Sequence, residues 1–304
     1  MKNIQVHIIA LIAMFFWGIS YIWSKQVFEV YSPLTTIFLR LLISFISLFI
    51  FIYLTKQIEK IRKEDRLLFI VGSMFNPFLY FIGENFGLKL VTASLSAIIV
   101  ATIPLFAPFA AYFYFKERLK PLNLAGLVLS FFGLLLIFIN KTFEFQANPK
   151  GVALLFLAVF SAVFYVVFLK KLTARYKPLT IITWQNLIGT LYFLPFFLFF
   201  DFKTFISIKP NSTVLFSLLM LGIFASSLAY VLYANIVKRL GVIKSSLYTN
   251  LIPVFTAIFS YYFLGEVFSV QKLAGMGIVI AGVILSESGK ITSIHSSSLK
   301  ETKT

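Results

Sequence analysis

The chain has 304 residues, of which 60% are hydrophobic and only 12% charged, and it carries a formal charge of +16. Water-soluble domains are about 45–50% apolar and about 25% charged, so an ordinary soluble fold is excluded. No cysteine is present, which removes disulfides, thiolate metal sites and cysteine nucleophiles; the two histidines, His7 and His295, lie near the ends, so neither a metal site nor a cofactor is expected.

A helix needs about 20 residues to cross a hydrocarbon core of about 30 Å. Apolar runs of that size predict ten transmembrane helices, at 7–24, 34–54, 67–87, 93–115, 121–139, 151–169, 180–200, 214–235, 243–264 and 272–287. Period-2 alternation is absent, which argues against a β-barrel, so the expected fold class is all-α integral membrane. The first run follows a lysine as a signal peptide would, but Trp17–Tyr21 offers no small-x-small cleavage site and nine more spans follow; it is read as retained. The tail, 288–304, is polar and expected to be disordered.

Ten spans place both termini on one face. Of the 27 basic residues, 19 fall on that terminal face and 7 on the other, with Arg40 inside a span. The positive-inside rule then predicts a multi-pass protein of the cell (inner or plasma) membrane with both termini cytoplasmic. The basic excess is thus a topology signal, and the partners expected are the lipid bilayer and a small molecule, not nucleic acid. Nothing in the sequence specifies an oligomeric state.

Shifting the chain by 149 residues brings Pro104 onto Pro253, Glu117 onto Glu266, Gly126 onto Gly275 and Gly133 onto Gly282. Over 96–137 the same shift gives 11 identities in 42 positions without a gap. Apolar composition inflates such matches, but aligned Pro, Glu and two Gly are hard to obtain that way. The halves run 7–139 and 151–287; each has five spans, an odd number, so the second must be inverted relative to the first. Inverted repeats are an architecture of secondary transporters, with the site near the midplane between the halves.

The repeated stretch, Ser94–Ile137 and its echo Ser245–Leu285, has a proline in mid-helix, a glutamate just past the helix end and then a glycine-spaced helix. Phe16-Trp17-Gly18 in the first span and Arg40 after Pro33 in the second fit the same pattern. In these features the chain resembles the drug/metabolite transporter superfamily, EamA branch, over nearly its whole length. The resemblance implies two EamA-like five-helix repeats forming a carrier, commonly an exporter of amino acids or other small metabolites.

An ionisable group at the bilayer centre costs about 2.5–3.5 kcal/mol on insertion scales, so each one calls for a reason. Glu84 is the one acid within a span away from its last residue, and Arg40 the clearest base. Gly72, Asn76, Tyr80 and Glu84 recur at i+4 and predict one polar face of the third helix. Comparable faces are offered by Trp17, Tyr21 and Lys25; by Ser161 and Tyr165; by Gln185 and Asn186; by Gly222, Ser226, Tyr230 and Tyr233; and by Tyr248 and Asn250. Small and polar residues also glue helices together, and at a single position the two readings stand level. Six helices contributing at once favour a shared polar cavity with aromatic walls.

Pro104 and Pro253 are expected to kink their helices. Glu117 and Glu266 are expected to be structural, accepting from free N–H groups at the start of the following helix. The glycines Gly126, Gly133, Gly275 and Gly282 are expected to bring the fifth and tenth helices close to neighbours.

Together with what the resemblance implies, the expected function is a secondary carrier exporting a small polar metabolite by alternating access, with a proton as candidate coupling ion at Glu84. No Gly-x-x-x-x-Gly-Lys-Ser/Thr sequence is present, so ATP is not its direct energy source. The alternatives are a channel-like facilitator and an intramembrane enzyme. An enzyme would need paired acids, a histidine or a serine with a base inside the membrane; a single embedded acid argues against it.

Overall fold

The computed structural model describes residues 2–118, 120–138, 148–265, 270–288 and 292–293. Its helices are α1 (Lys2–Val27), α2 (Pro33–Leu54), α3 (Lys63–Leu90), α4 (Ala93–Phe115) and α5 (Pro121–Phe138), then α6 (Pro149–Thr173), α7 (Pro178–Ser207), α8 (212–240), α9 (242–264) and α10 (Val270–Ser288). Local chemistry sets their starts. Ser32, Thr92, Asn148 and Asn211 cap α2, α4, α6 and α8 by accepting from backbone N–H groups of the first turn. Pro33, Pro149 and Pro178 occupy first-turn positions, where no N–H is needed.

Among the described residues, seven helical runs are long and apolar enough to cross a membrane, and Pro121–Gly133 and Leu273–Ser286 are shorter apolar helices. The outer surface is correspondingly apolar: Phe199, Tyr262 and Phe113 are 82%, 74% and 70% exposed. A water-soluble protein does not leave so much aromatic surface uncovered, whereas lipid covers it without cost. The longest run, Ser212–Leu264, holds two of the predicted spans without the loop expected between them. Gly241 replaces that loop. Its φ of 84° and ψ of −178° lie in a region open to glycine, and one such residue turns the chain from α8 into α9.

The two halves repeat the same irregularities. Pro104 and Pro253 each stand in the first turn of a second helical piece, Ile103–Phe115 and Ile252–Leu264, after a break in α4 and a 3-10 turn (Tyr248–Leu251) in α9. Those pieces end in left-handed residues, Lys116 (φ 54°) and Gly265 (φ 68°), also 149 positions apart. Both α3 and α8 contain a wide π-type segment, Met74–Leu79 and Leu221–Leu228. The equivalent helices α5 and α10 pack antiparallel: Gly126 lies against Gly282 and Ser286, and Gly133 against Gly275 and Val279. Antiparallel packing of equivalent helices is what inverted repeats produce.

Two expectations need correcting. The third helix is not one continuous polar face, because Asn76 has extended torsions (φ −145°, ψ 118°). Pro77 follows it and lacks the N–H that an unbroken helix would need there. Glu117 does not serve the helix that follows it. Buried to 8% exposure, it accepts from the backbone N–H groups of Val242 (3.4 Å) and Ile243 (3.3 Å), and so caps α9 of the other repeat. An ideal Cβ on Gly241 would stand 2.9 Å from the Glu117 carboxylate, so the glycine provides the turn and also leaves room for the cap. Glu266 lies outside the described residues. So does most of the tail, although Thr292–Ser293 (β2) pairs antiparallel with Glu117–Arg118 (β1) where disorder was expected.

Carboxylates also fasten the helix ends. Asp65, in the first turn of α3, pairs with Arg175 and accepts from the Tyr176 hydroxyl at 2.7 Å, and Tyr176 in turn accepts from Arg62 N. Burial, together with the bond to Asp65, pushes the Tyr176 phenol above its ordinary range. Asp201, at the far end of α7, accepts from Ser32 and from both the backbone N and hydroxyl of Thr35.

Because Glu117 caps a helix start across the repeat boundary, Glu117→Ala is expected to lower stability by about 1–2 kcal/mol, as a lost N-cap does. Glu117→Gln, which keeps an acceptor, should lose less. Thermal unfolding of the full chain in detergent checks this, and an unchanged midpoint for the alanine variant would contradict the cap.

Candidate functional site

Between the repeats, α1, α3, α4, α6, α8 and α9 enclose a cavity of about 40 Å³ walled by Trp17, Asn76, Tyr80, Tyr165, Tyr230 and Tyr233, with Val100, Ile103, Ala162, Val166, Thr249 and Ile252. A second lobe of about 20 Å³ shares Trp17, Tyr80, Tyr230 and Ile252 with it and adds Ser20, Tyr21, Arg40, Phe81 and Glu84. The first lobe is aromatic; the second holds both embedded charges. Together they have room for a few waters at most, so a metabolite enters only after the walls part.

Helix breaks position this site. The Pro77 break directs Asn76 inward, where its Nδ2 donates to Tyr230 Oη at 3.3 Å. One turn on, Tyr80 Oη donates to Glu84 Oε1 at 2.8 Å, and Asn85 Nδ2 approaches Oε2 at 3.4 Å. Tyr21 Oη is buried beside Glu84, on the same small lobe. Arg40, 2% exposed, donates through Nε to Ser226 Oγ (2.8 Å) and lays its guanidinium over the Phe81 ring, 4.4 Å from the centroid. No ion pair joins Arg40 to Glu84; among the described residues the one found is Asp65–Arg175. Each charge is thus held by neutral neighbours at the edge of the same space. Trp17 anchors the wall by donating to Ala225 O at 3.2 Å and packing on Tyr230 and Tyr233, both at 5.0 Å between ring centroids.

Eight of the candidate residues meet here: Trp17, Tyr21, Arg40, Asn76, Tyr80, Glu84, Tyr165 and Tyr230. Five do not line the cavity. Gln185 stands behind it, accepting from Tyr165 Oη at 2.9 Å. Ser226 and Asn186 stand behind Arg40: Asn186 Nδ2 donates to Ser44 Oγ (2.5 Å) and to Ser226 O (3.1 Å). Asn250 points away and donates to Ser130 Oγ on α5 at 2.6 Å. Tyr248 lies on the outer side of α9, bonded to His7. Sequence reasoning missed Ser20, Phe81 and Thr249. The first and last are small polar residues one position from residues that were singled out, and Phe81 is apolar, so a search for polar groups passes over it.

Removing wall residues tests the cavity. Trp17→Ala and Tyr230→Ala are expected to lower transport at least about tenfold, equivalent to 1.4 kcal/mol, with membrane abundance near wild type. Loss of abundance with normal activity per surviving molecule would instead make these residues packing elements.

The chain matches the EamA-like transporter family twice, over residues 5–139 and 149–287. An uncharacterized transporter of Archaeoglobus fulgidus is 28% identical over 286 residues, covering 93% of this chain and 98% of the relative. The uncharacterized transporter YdfC of Bacillus subtilis is 25% identical, covering 93% of this chain and 90% of its own. A solved crystal structure shares the fold with a TM-score of 0.77 at 16% identity, over 93% of this chain and 98% of that one. With two repeats, apolar helices throughout and a family match along nearly all of its length, the chain belongs to the EamA-like transporter family of membrane transporters.

Proposed function

We propose that this transporter is a secondary carrier that exports a small polar metabolite, an amino acid or a related compound, across the cell membrane by alternating access. The observation that carries this reading is a pair of adjoining spaces between the repeats, the smaller bordered by a buried carboxylate and a buried guanidinium that make no direct ion pair. Glu84 then meets a substrate amine or a coupling proton, and Arg40 meets substrate anionic charge. Tyr80 and Asn85 hold the carboxylate in place, while Ser226 and Phe81 hold the guanidinium. The aromatic lobe accepts the less polar part of the substrate. The breaks at Pro104 and Pro253 lie beside the cavity and supply the joints about which its walls move.

The test is flux in proteoliposomes loaded with an amino-acid mixture. A carrier saturates and is stimulated by substrate on the opposite side; flux that neither saturates nor responds to opposite-side substrate would mean a channel-like permease. Orientation is tested separately. A reporter active only in the cytoplasm should work when fused after Thr304 or within 56–66, and fail within 142–148. The reverse pattern would contradict cytoplasmic termini.

A further inference from the structure

Two lysines make the same bond at opposite ends of the molecule. Lys25, in the last turn of α1, donates through Nζ to Val91 O, just past the end of α3, at 2.7 Å. Lys170, in the last turn of α6, donates through Nζ to Val237 O, in the last turn of α8, at 3.3 Å. The bonds are repeat equivalents. Helices α1 and α6 open the two halves and α3 and α8 are third in each; the lysines are 145 positions apart and the valines 146, as Pro33 and Pro178 are 145. Their faces are opposite. Val91 follows the far end of α3, whereas Arg175, five residues past Lys170, pairs with Asp65 in the first turn of α3.

Local chemistry explains the bonds but not their placement. Carbonyls at a helix end lack an intrahelical donor, and a lysine is a ready partner for them. Val91 closes α3, and α8 breaks at Gly241, four residues after Val237. Among the described residues neither lysine has a carboxylate partner, so the carbonyl is what each ammonium holds. Both bonds, moreover, bridge helices that wall the cavity. Tyr21, one turn inward from Lys25, lines the polar lobe with Glu84 of α3. Val166, one turn inward from Lys170, and Tyr233, one turn inward from Val237, line the aromatic lobe. On the outer side of the first bond, Lys25 and Val91 border an open depression of about 360 Å³ with Lys89, Thr92 and Asn148. The cavity thus lies between the two bonds.

We propose that Lys25 and Lys170 are gate residues: each ties the first helix of its repeat to the third across one mouth of the cavity, and each tie opens when the cavity opens to that face. The inference rests on the alternating-access reading and names the groups that close each side. A single charge-assisted hydrogen bond suits the task. It holds two helix ends together, and both lysines are only half-buried, so an ammonium released at the mouth is rehydrated and not stranded. Inverted repeats make the two ties equivalent in fold and opposite in face, as rocking of one half against the other requires.

The test uses the full, cysteine-free chain with Ser20→Cys as its one thiol, placed in the polar lobe, in oriented vesicles. A membrane-impermeant maleimide is applied to one face or the other, and the ratio of the two modification rates is read. Lys25→Met, which keeps the stem and removes the ammonium, should shift that ratio several-fold toward the face opposite the termini. Lys170→Met should shift it several-fold toward the terminal face. Lys25→Arg and Lys170→Arg keep a donor and should stay near the parent ratio. A parent that reacts from both faces, with methionine variants that leave the ratio unchanged or shift it the same way, would overturn the gates and leave alternating access standing. A thiol protected from both faces in every variant would overturn both. Should a methionine variant fail to reach the membrane, the alanine variant is read in its place.

Discussion

Glu84→Gln is expected to impair transport while leaving the fold standing. The glutamine oxygen can still accept the Tyr80 hydroxyl, so the hydrogen bond made by Glu84 Oε1 is retained. No direct ion pair with Arg40 is broken, although the two buried charges attract each other across the lobe. The stability change should therefore stay within about 2 kcal/mol, less than the roughly 3–5 kcal/mol of breaking a buried ion pair. Flux should fall at least about tenfold, or lose its dependence on pH, because the variant can neither take up a proton there nor meet a cation. Arg40→Gln should behave differently. It removes a guanidinium from above Phe81 and from Ser226, at a cost of about 2 kcal/mol in stability besides the loss of flux. Flux against pH and the melting temperature of both single variants and the double variant decide the matter. If Glu84→Gln alone lowers the melting temperature and Arg40→Gln restores it, the two residues brace each other. Normal flux, pH response and stability in Glu84→Gln would remove Glu84 from the mechanism.

Gly126→Ala should be more damaging to the fold than either charge substitution. A Cβ at Gly126 would stand 2.3 Å from Ser286 N and 2.5 Å from Gly282 O, which are backbone atoms that cannot swing aside. The helices α5 and α10 would have to separate. That weakens the Asn123 Nδ2 bond to Ser286 O (2.6 Å) along the same seam. The expected loss is about 3 kcal/mol or more, at the upper end for overpacking, read as poor membrane abundance and early thermal unfolding. Gly277→Ala is the matched control, since its Cβ would meet nothing within 4 Å. Equal stability of the two variants would contradict the close approach.

The repeat was legible in the sequence because its marks are residues with backbone consequences: a proline that opens a helical piece and glycines that let helices touch. The break at Asn76 was less legible, since Pro77 has no counterpart in the second half at the 149-residue shift that picks out Pro104 and Pro253. The joint at Gly241 was hidden because a glycine among apolar residues reads as either packing or a turn. Tyr248 and Asn250 were placed in the cavity, whereas Thr249 and Ile252 line it, for a geometric reason. Tyr248–Leu251 is a 3-10 turn, which advances about 120° per residue instead of about 100°, so an α-helical face assignment drifts off register there. Polar residues one layer behind the cavity, such as Gln185, Asn186 and Ser226, share the composition of lining residues. Only coordinates separate the two layers.

The central claim, that the space between the repeats is opened to each side of the membrane in turn, can be measured without knowing the substrate. The chain has no cysteine, so Ser20→Cys introduces a single thiol, in the lobe that holds Arg40 and Glu84. Ser20 is 7% exposed, and the change is nearly isosteric. A membrane-impermeant thiol reagent applied to either side of oriented vesicles is expected to modify it from both sides, more slowly than a cysteine at exposed Lys89. Protection of Ser20→Cys from both sides, with Lys89→Cys reacting normally, would contradict the account.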